Sequence, residues 1–293
     1  MPEVPRRYVS SEEDSARWRD FPFRSGDIVI STRSKSGTTW VQMICALLVL
    51  GTTQLPRPLA ELSPWLDWLV TPRDEVYATL RAQTHRRFIK THTPLDGLPA
   101  RPDVTYVVVA RHPLDMAVSL YHQAANLDRR LIAELTGRPQ RQRSSRPPLP
   151  EWLAAWVEEE ADPFEELDSL PGVMHHLADA WDRRGADNVV LVHYDDLRAD
   201  LAGQMRRLAD RLGIDVPEDV FPDLVDAASF DRMRARADLL VPGRSGVLKS
   251  SAAFFRRGGS GEGWRLLSAA QRRRYDERAA DLAPRDLLSW LHR

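Results

Sequence analysis

The chain has 293 residues, 43 % of them hydrophobic, and its 41 Lys and Arg nearly balance 42 Asp and Glu for a net charge of −1. This length and composition allow one or two globular domains with a sizeable core, and the near-zero charge excludes any global pull toward nucleic acid or an acidic membrane surface. The N-terminus lacks the apolar block of a signal peptide, the longest apolar run, Val41 to Leu50, is too short to span a bilayer, and the single cysteine, Cys45, cannot form an internal disulfide; together these predict a soluble, cytoplasmic protein with no transmembrane segment and no nucleic-acid partner.

The run Asp27-Ile-Val-Ile predicts a first strand over Ile28–Ser31. It leads through Ser31-Thr-Arg-Ser-Lys35-Ser-Gly-Thr-Thr-Trp40 into a helix over Thr39–Leu50, in which Cys45 reads as core packing. A strand, a tight hydroxyl-rich turn and a helix start converge backbone N–H groups on one point, so this segment predicts a phosphate site. Its order is not that of an ordinary nucleotide triphosphatase, in which the lysine follows the turn's glycines; here Lys35 precedes Gly37. Lys35 is one of only three lysines, with Lys90 and Lys249. Arginine supplies nearly all the generic positive charge, so a compact ammonium in such a turn points to chemistry.

Pro64-Trp65-Leu-Asp-Trp68-Leu follows, with Phe21 and Phe23 before the first strand; these aromatics suit either an apolar acceptor pocket or a buried core. A second strand, Arg87–Lys90, continues into Thr91-His92-Thr-Pro94. Strand alternation puts Lys90 and His92 on one side where the strand gives out. Histidine is the natural general base near neutral pH, and a neighbouring cation keeps it neutral. A lone histidine reads as structural, and the other seven receive no role, but His92 lies beside Lys90 at a strand end.

A third strand, Val104–Ala110, ends in Arg111, and Pro113 starts a helix over Leu114–Ala125 that bears Ser119. Arg111 can grip a phosphate bidentately or pair with a carboxylate, and Ser119 can bind a ligand or the carbonyl one turn back; the residues leave these readings even. No Asp of the kind that holds Mg²⁺ ends this strand. The basic, proline-rich stretch Gly137 to Pro150 predicts a mobile loop gating the acceptor side. A helix over Val173–Arg184, a strand over Val189–Tyr194 and a helix over Leu197–Leu212 come next. Phe254-Phe-Arg256-Arg257-Gly258-Gly-Ser-Gly-Glu-Gly-Trp264 then brings two arginines into a glycine-rich loop suited to closing on an anion. Alternating strands and helices predict a single α/β domain over residues 1–293, with a central, mainly parallel sheet flanked by helices and the site at the carboxyl ends of the strands.

Lys-Ser-Gly-Thr-Thr-Trp at 35–40, Lys90-Thr-His92, Arg111 with Ser119 eight positions later, and Arg256-Arg257-Gly258 before Trp264 together resemble the soluble sulfotransferases. The resemblance runs in order from Phe23 to Trp264 and suggests a bacterial member. It implies a phosphate-loop fold like that of the nucleoside kinases. The implied donor is 3′-phosphoadenosine 5′-phosphosulfate (PAPS), the product adenosine 3′,5′-bisphosphate (PAP), and the acceptor a hydroxyl of a small, hydrophobic alcohol or phenol, with no metal. Lys35, Ser36, Gly37, Thr38, Thr39 and Trp40 are implied to hold the 5′-phosphosulfate, with Trp40 also packing on the adenine. Lys35, Lys90 and His92 are the implied catalytic residues. Arg111, Ser119, Arg256, Arg257 and Gly258 are implied to bind the 3′-phosphate, and Tyr194, Ser229 and Phe230 to surround the adenine. Ser34 stands where the family usually has proline, Ala228 replaces a usual threonine, and the C-terminal dimerisation motif of the animal enzymes is not recognisable. The alternative reading is an ATP-dependent small-molecule kinase on a related phosphate-loop fold, which calls for Mg²⁺.

Overall fold

The structure, a computed structural model, describes residues 4–139, 146–241 and 246–293. Four strands, β1 (Ile28–Thr32), β2 (Phe88–Thr91), β3 (Thr105–Ala110) and β4 (Val189–His193), form one parallel sheet in the order β2-β1-β3-β4. Ile28 pairs with Phe88 on one side and Thr105 on the other, and Tyr106 pairs with Val189. The strand expectations agree with these to within a residue or two. Their apolar character is nearly continuous because parallel strands are covered on both faces.

Six longer helices matter for the site: α1 (Thr38–Leu50), α2 (Pro113–Asn126), α3 (Leu149–Glu158), α4 (Leu170–Asp182), α5 (Leu201–Leu212) and α6 (Ala269–Leu282). Side chains alternate between the two faces of the sheet. Ile28, Ile30, Val107, Val109, Val190 and Val192 pack against Ile44 and Leu47 of α1 and Met205 and Leu208 of α5. Val29, Ile89, Val108 and Val189 face Trp18, Leu66, Leu80 and Ala180 of α4. A further cluster joins α2, α3, α4 and α6, so the architecture is helices on both sides of a parallel sheet. Cys45 is fully buried in α1, and burial pushes its thiol up to about 12.

Two helix expectations change in detail. The helix expected over Leu197–Leu212 is two helices, Tyr194–Ala199 and α5, because Asp200 leaves the helical conformation and caps α5 by accepting from the Gly203 N–H at 2.8 Å. α4 starts three residues before the expected Val173, where the Ser169 hydroxyl accepts from the Gly172 N–H and Pro171 fits the first turn. Of the stretch Gly137 to Pro150, residues 140–145 lie outside the described residues; α3 begins at Leu149.

Two contacts beside β2 set up the site. At the start of the strands, the Arg87 guanidinium donates to Asp27 through Nε at 2.8 Å, with both side chains 2 % exposed. At the far end, the Lys90 N–H donates to the Pro64 carbonyl at 3.0 Å and the Leu66 N–H to the Lys90 carbonyl at 3.2 Å. The segment Pro64–Leu66 therefore borders the end of β2 and brings Trp65 against Lys90.

Candidate active site

A cleft of about 430 Å³ opens at the carboxyl ends of the strands, where ligands gather in open α/β sheets. Its floor is the turn after β1. Gly37, with φ 110°, precedes α1, and a Cβ there would lie 2.9 Å from a Tyr194 ring carbon. Lys35 has φ 65°, which no other described non-glycine residue shares. The turn is held by a hydrogen bond between the Thr32 and Thr38 hydroxyls, and the first N–H groups of α1 have no partner within the helix.

Lys35 Nζ lies 3.8 Å from the centre of the Phe254 ring and 3.4 Å from Gln123 Oε1. Lys90 Nζ lies 3.5 Å from the Trp65 ring centre. Burial pushes each lysine down to about 7; for Lys35 the neighbouring cations Arg111, Lys90 and Arg256 add to the effect, while for Lys90 the carboxylates Glu13 and Asp67 oppose it.

His92 is 5 % exposed and lines the same cleft. Its Nδ1 lies 2.5 Å from the Thr32 carbonyl oxygen. A carbonyl only accepts, so Nδ1 carries the proton and Nε2 keeps its lone pair. Burial, then Lys90 and then Arg33 hold the imidazole well below its usual range, so it is neutral at pH 7.

Among the described residues Arg111 pairs with no carboxylate. Its guanidinium donates to the Lys35 carbonyl at 3.0 Å and the Gly259 carbonyl at 2.8 Å, and lies 4.4 Å above the Tyr194 ring. It thus ties the turn after β1 to the glycine-rich loop, and its Nε is buried with no hydrogen-bond partner among the described residues. Arg256 makes a forked contact with Glu262 at 3.2 and 2.5 Å, and Arg257 reaches the same carboxylate at 3.3 Å. Trp40 Nε1 donates to the Ala228 carbonyl at 2.8 Å, and the Trp40 ring meets Tyr194 edge-on at 5.3 Å. Gly258, with φ 62°, lies so close to Phe230 that a Cβ would come within 2.6 Å of the ring.

Of the residues expected at the site, Lys35, Gly37, Thr38, Thr39, Trp40, Lys90, His92, Arg111, Ser119, Tyr194, Phe230, Arg256, Arg257 and Gly258 all border this cleft. Ser36 and Ser229 are not among the lining residues: Ser36 is buried in the turn, and Ser229 precedes the helix Phe230–Ala235. Among the described residues no group of His, Cys, Asp and Glu is arranged to hold a metal ion.

Several lining residues were not anticipated. Arg33, 3 % exposed, donates to the His92 carbonyl and, at 2.7 Å, to Asp168. Strand parity was the available signal, since Arg33 follows the buried Ser31 by two residues. Glu12 and Glu13 reach the cleft because Glu13 bridges to Trp68. Burial pushes the Glu13 carboxyl up to about 8, against the pull of Arg33. Nothing local in the sequence marks that contact.

A Sulfotransferase domain family model matches residues 25–283. A glycolipid sulfotransferase of Mycobacterium bovis is 43 % identical over 305 residues, covering 97 % of this chain and 93 % of that protein. Sulfotransferase 1C2 of Homo sapiens is 24 % identical, covering 88 % and 83 %. Among solved structures, retinol dehydratase in a complex with retinol and PAP matches with a TM-score of 0.69 at 20 % identity, covering 91 % of this chain and 84 % of that one. A mouse sulfotransferase complexed with PAP matches with a TM-score of 0.65 at 18 % identity, covering 91 % and 88 %. At those identities the two structures establish likeness of fold.

Proposed function

Because the chain belongs to the sulfotransferase domain family, we propose that it is a single-domain enzyme that moves a sulfuryl group from PAPS to a hydroxyl of a small acceptor, with His92 as general base. The observation that carries this reading is the pairing of a neutral imidazole, its Nε2 lone pair available, with two ammonium groups on one cleft.

The cleft fits a 3′,5′-substituted adenine nucleotide in its chemistry. The turn at Gly37 and the loop at Gly258 both bring backbone against rings where a Cβ would clash, and the start of α1 offers backbone N–H groups to an anion. Trp40, Tyr194 and Phe230 offer apolar surface for a base. Arg111, Ser119, Arg256 and Arg257 surround the end expected to take the 3′-phosphate, and the orphaned Nε of Arg111 is a donor in want of an acceptor.

In the transfer, the acceptor oxygen bonds to sulfur while the bond from sulfur to the bridging phosphate oxygen breaks, and PAP departs. His92 Nε2 takes the acceptor's hydroxyl proton. Lys35 and Lys90 donate to the bridging oxygen and the transferring oxygens as negative charge builds there. Thr32 keeps the imidazole in the required tautomer through its carbonyl.

For the acceptor, the relative's name points to a glycolipid, and the cleft walls support an amphipathic molecule. Leu120, Leu127 and Leu248 offer an apolar flank, whereas Glu12, Glu13 and Arg129 offer donors and acceptors for hydroxyls. Transfer of ³⁵S from labelled PAPS to a panel of neutral glycolipids, sterols and phenols tests this, with glycolipid product expected in excess. Thermal stabilisation by PAP, compared with ATP and Mg²⁺, separates the reading from the kinase alternative, since a ligand that binds the folded state raises its stability. Stabilisation by ATP and Mg²⁺ alone would favour the kinase.

A further inference from the structure

The two lysines of the cleft share an arrangement that the two arginines of the glycine-rich loop do not. Arg256 and Arg257 share an ion pair with the single carboxylate of Glu262, whereas neither Lys35 nor Lys90 forms an ion pair among the described residues. Lys90 Nζ lies 3.5 Å from the Trp65 ring centre and Lys35 Nζ 3.8 Å from that of Phe254. An ammonium at that distance from a ring face is attracted by the ring's quadrupole, although the ring carries no net charge.

We propose that Trp65 and Phe254 are positioning residues that hold the ammonium groups of Lys90 and Lys35 by cation–π contact, so that both meet an anionic donor without first breaking an ion pair. A carboxylate in either place would repel the donor's phosphates and would have to be displaced. A ring holds the cation and leaves its N–H groups free to donate.

The rings are themselves fixed. Trp65 stacks on Trp68 at 4.8 Å with planes 10° apart, meets the His92 ring edge-on at 4.5 Å, and is locked beside β2 by the backbone bonds of Pro64 and Leu66 to Lys90. One indole therefore touches both members of the proposed catalytic pair. Phe254 ends the short helix Ser251–Phe254 and packs edge-on against Phe255 at 5.4 Å, just before Arg256. It links Lys35 to the segment that carries the loop arginines.

The inference rests on the sulfotransferase reading for its catalytic meaning, but the contact can be read without turnover. The chain has only three lysines, and Lys249, whose Nζ donates to the Ala125 carbonyl at 2.9 Å, is an internal reference. Lysine-selective ¹³C labelling should show the ε-methylene signals of Lys90 and Lys35 moved upfield of Lys249 by the ring currents. Trp65→Leu should return only the Lys90 signal to the reference position, and Phe254→Leu only that of Lys35. In assays of transfer, Trp65→Leu should lower kcat about tenfold with PAP affinity unchanged, and Trp65→Phe, which keeps a π face, should recover most of the loss. Lysine signals coincident with Lys249 in the unmodified protein would overturn the proposal, a result that stands even if Trp65→Leu fails to fold. So would a Trp65→Phe variant as impaired as Trp65→Leu. Upfield lysines in a protein that transfers no sulfuryl group would instead leave the contact standing and overturn the reaction.

Discussion

His92 Nδ1 and the carbonyl oxygen of Thr32 lie 2.5 Å apart, a backbone contact that joins the end of β2 to the end of β1 and decides which imidazole nitrogen holds the proton. Because the carbonyl comes from the main chain, no side-chain change at Thr32 would remove it. His92→Ala should therefore cut acceptor-dependent transfer by about 10²-fold or more while PAP binding, followed by calorimetry, stays largely intact. Parallel loss of both would assign His92 a structural role. In the unmodified enzyme the acid limb of kcat/KM should fall below pH 6.5, the ordinary histidine value, since burial and the nearby cations disfavour the imidazolium. Arg33→Met should move that limb upward by removing one of those cations.

Lys35 and Lys90 give the opposite limb and a proton count. Their folded pKa of about 7 lies below the unfolded value of about 10.4, so between these limits the unfolded chain binds more protons. The sign follows: the contribution of the two lysines to stability rises with pH across that window. An anion in the cleft favours the ammonium, so PAP binding at pH 8 should take up protons. Calorimetry in two buffers of different ionisation enthalpy measures this, and zero uptake or release would contradict the depressed lysines.

Lys35→Ala should lower kcat by about 10²-fold, with a small effect on the thermal midpoint. Lys35→Arg should restore little, because a planar fork does not reproduce a point charge on a residue whose backbone is held at φ 65°. Near-native turnover in either folded variant would remove Lys35 from the mechanism.

Arg111 bonds two backbone carbonyls and keeps one buried donor unused. Arg111→Ala should weaken PAP far more than adenosine 5′-phosphate, as judged by competition binding. Equal losses for the two nucleotides would mean that Arg111 serves only to tie the turn after β1 to the glycine-rich loop.

Glu262 occupies Arg256 and Arg257, both expected to meet the 3′-phosphate. A dianionic phosphate must compete with that carboxylate, so Glu262→Gln should tighten PAP binding by about three- to tenfold and leave adenosine 5′-phosphate unchanged. Weaker PAP binding in the variant would show instead that Glu262 orients the arginines for the ligand.

The sheet, its parallel sense and the boundaries of its strands were legible in the sequence, because strands covered on both faces must be apolar along their whole length and glycine and proline mark where they end. The strand–turn–helix cradle at Lys35 and the shared side of Lys90 and His92 were also legible, since both follow from local geometry. Tertiary structure decided the remainder. The helix break at Asp200 required an N-cap to prevail over an uninterrupted helical pattern. Arg33 reaches the His92 carbonyl and Glu13 reaches the cleft only when segments distant in sequence meet, and Glu262 closes on Arg256 only once the loop between them folds back. Trp65 had stood equally as core or as pocket wall, and its place between Trp68 and Lys90 depends on Pro64 and Leu66 bonding to the border of β2. Periodicity records which side of an element a residue faces, whereas the partner on that side is chosen by how the chain packs.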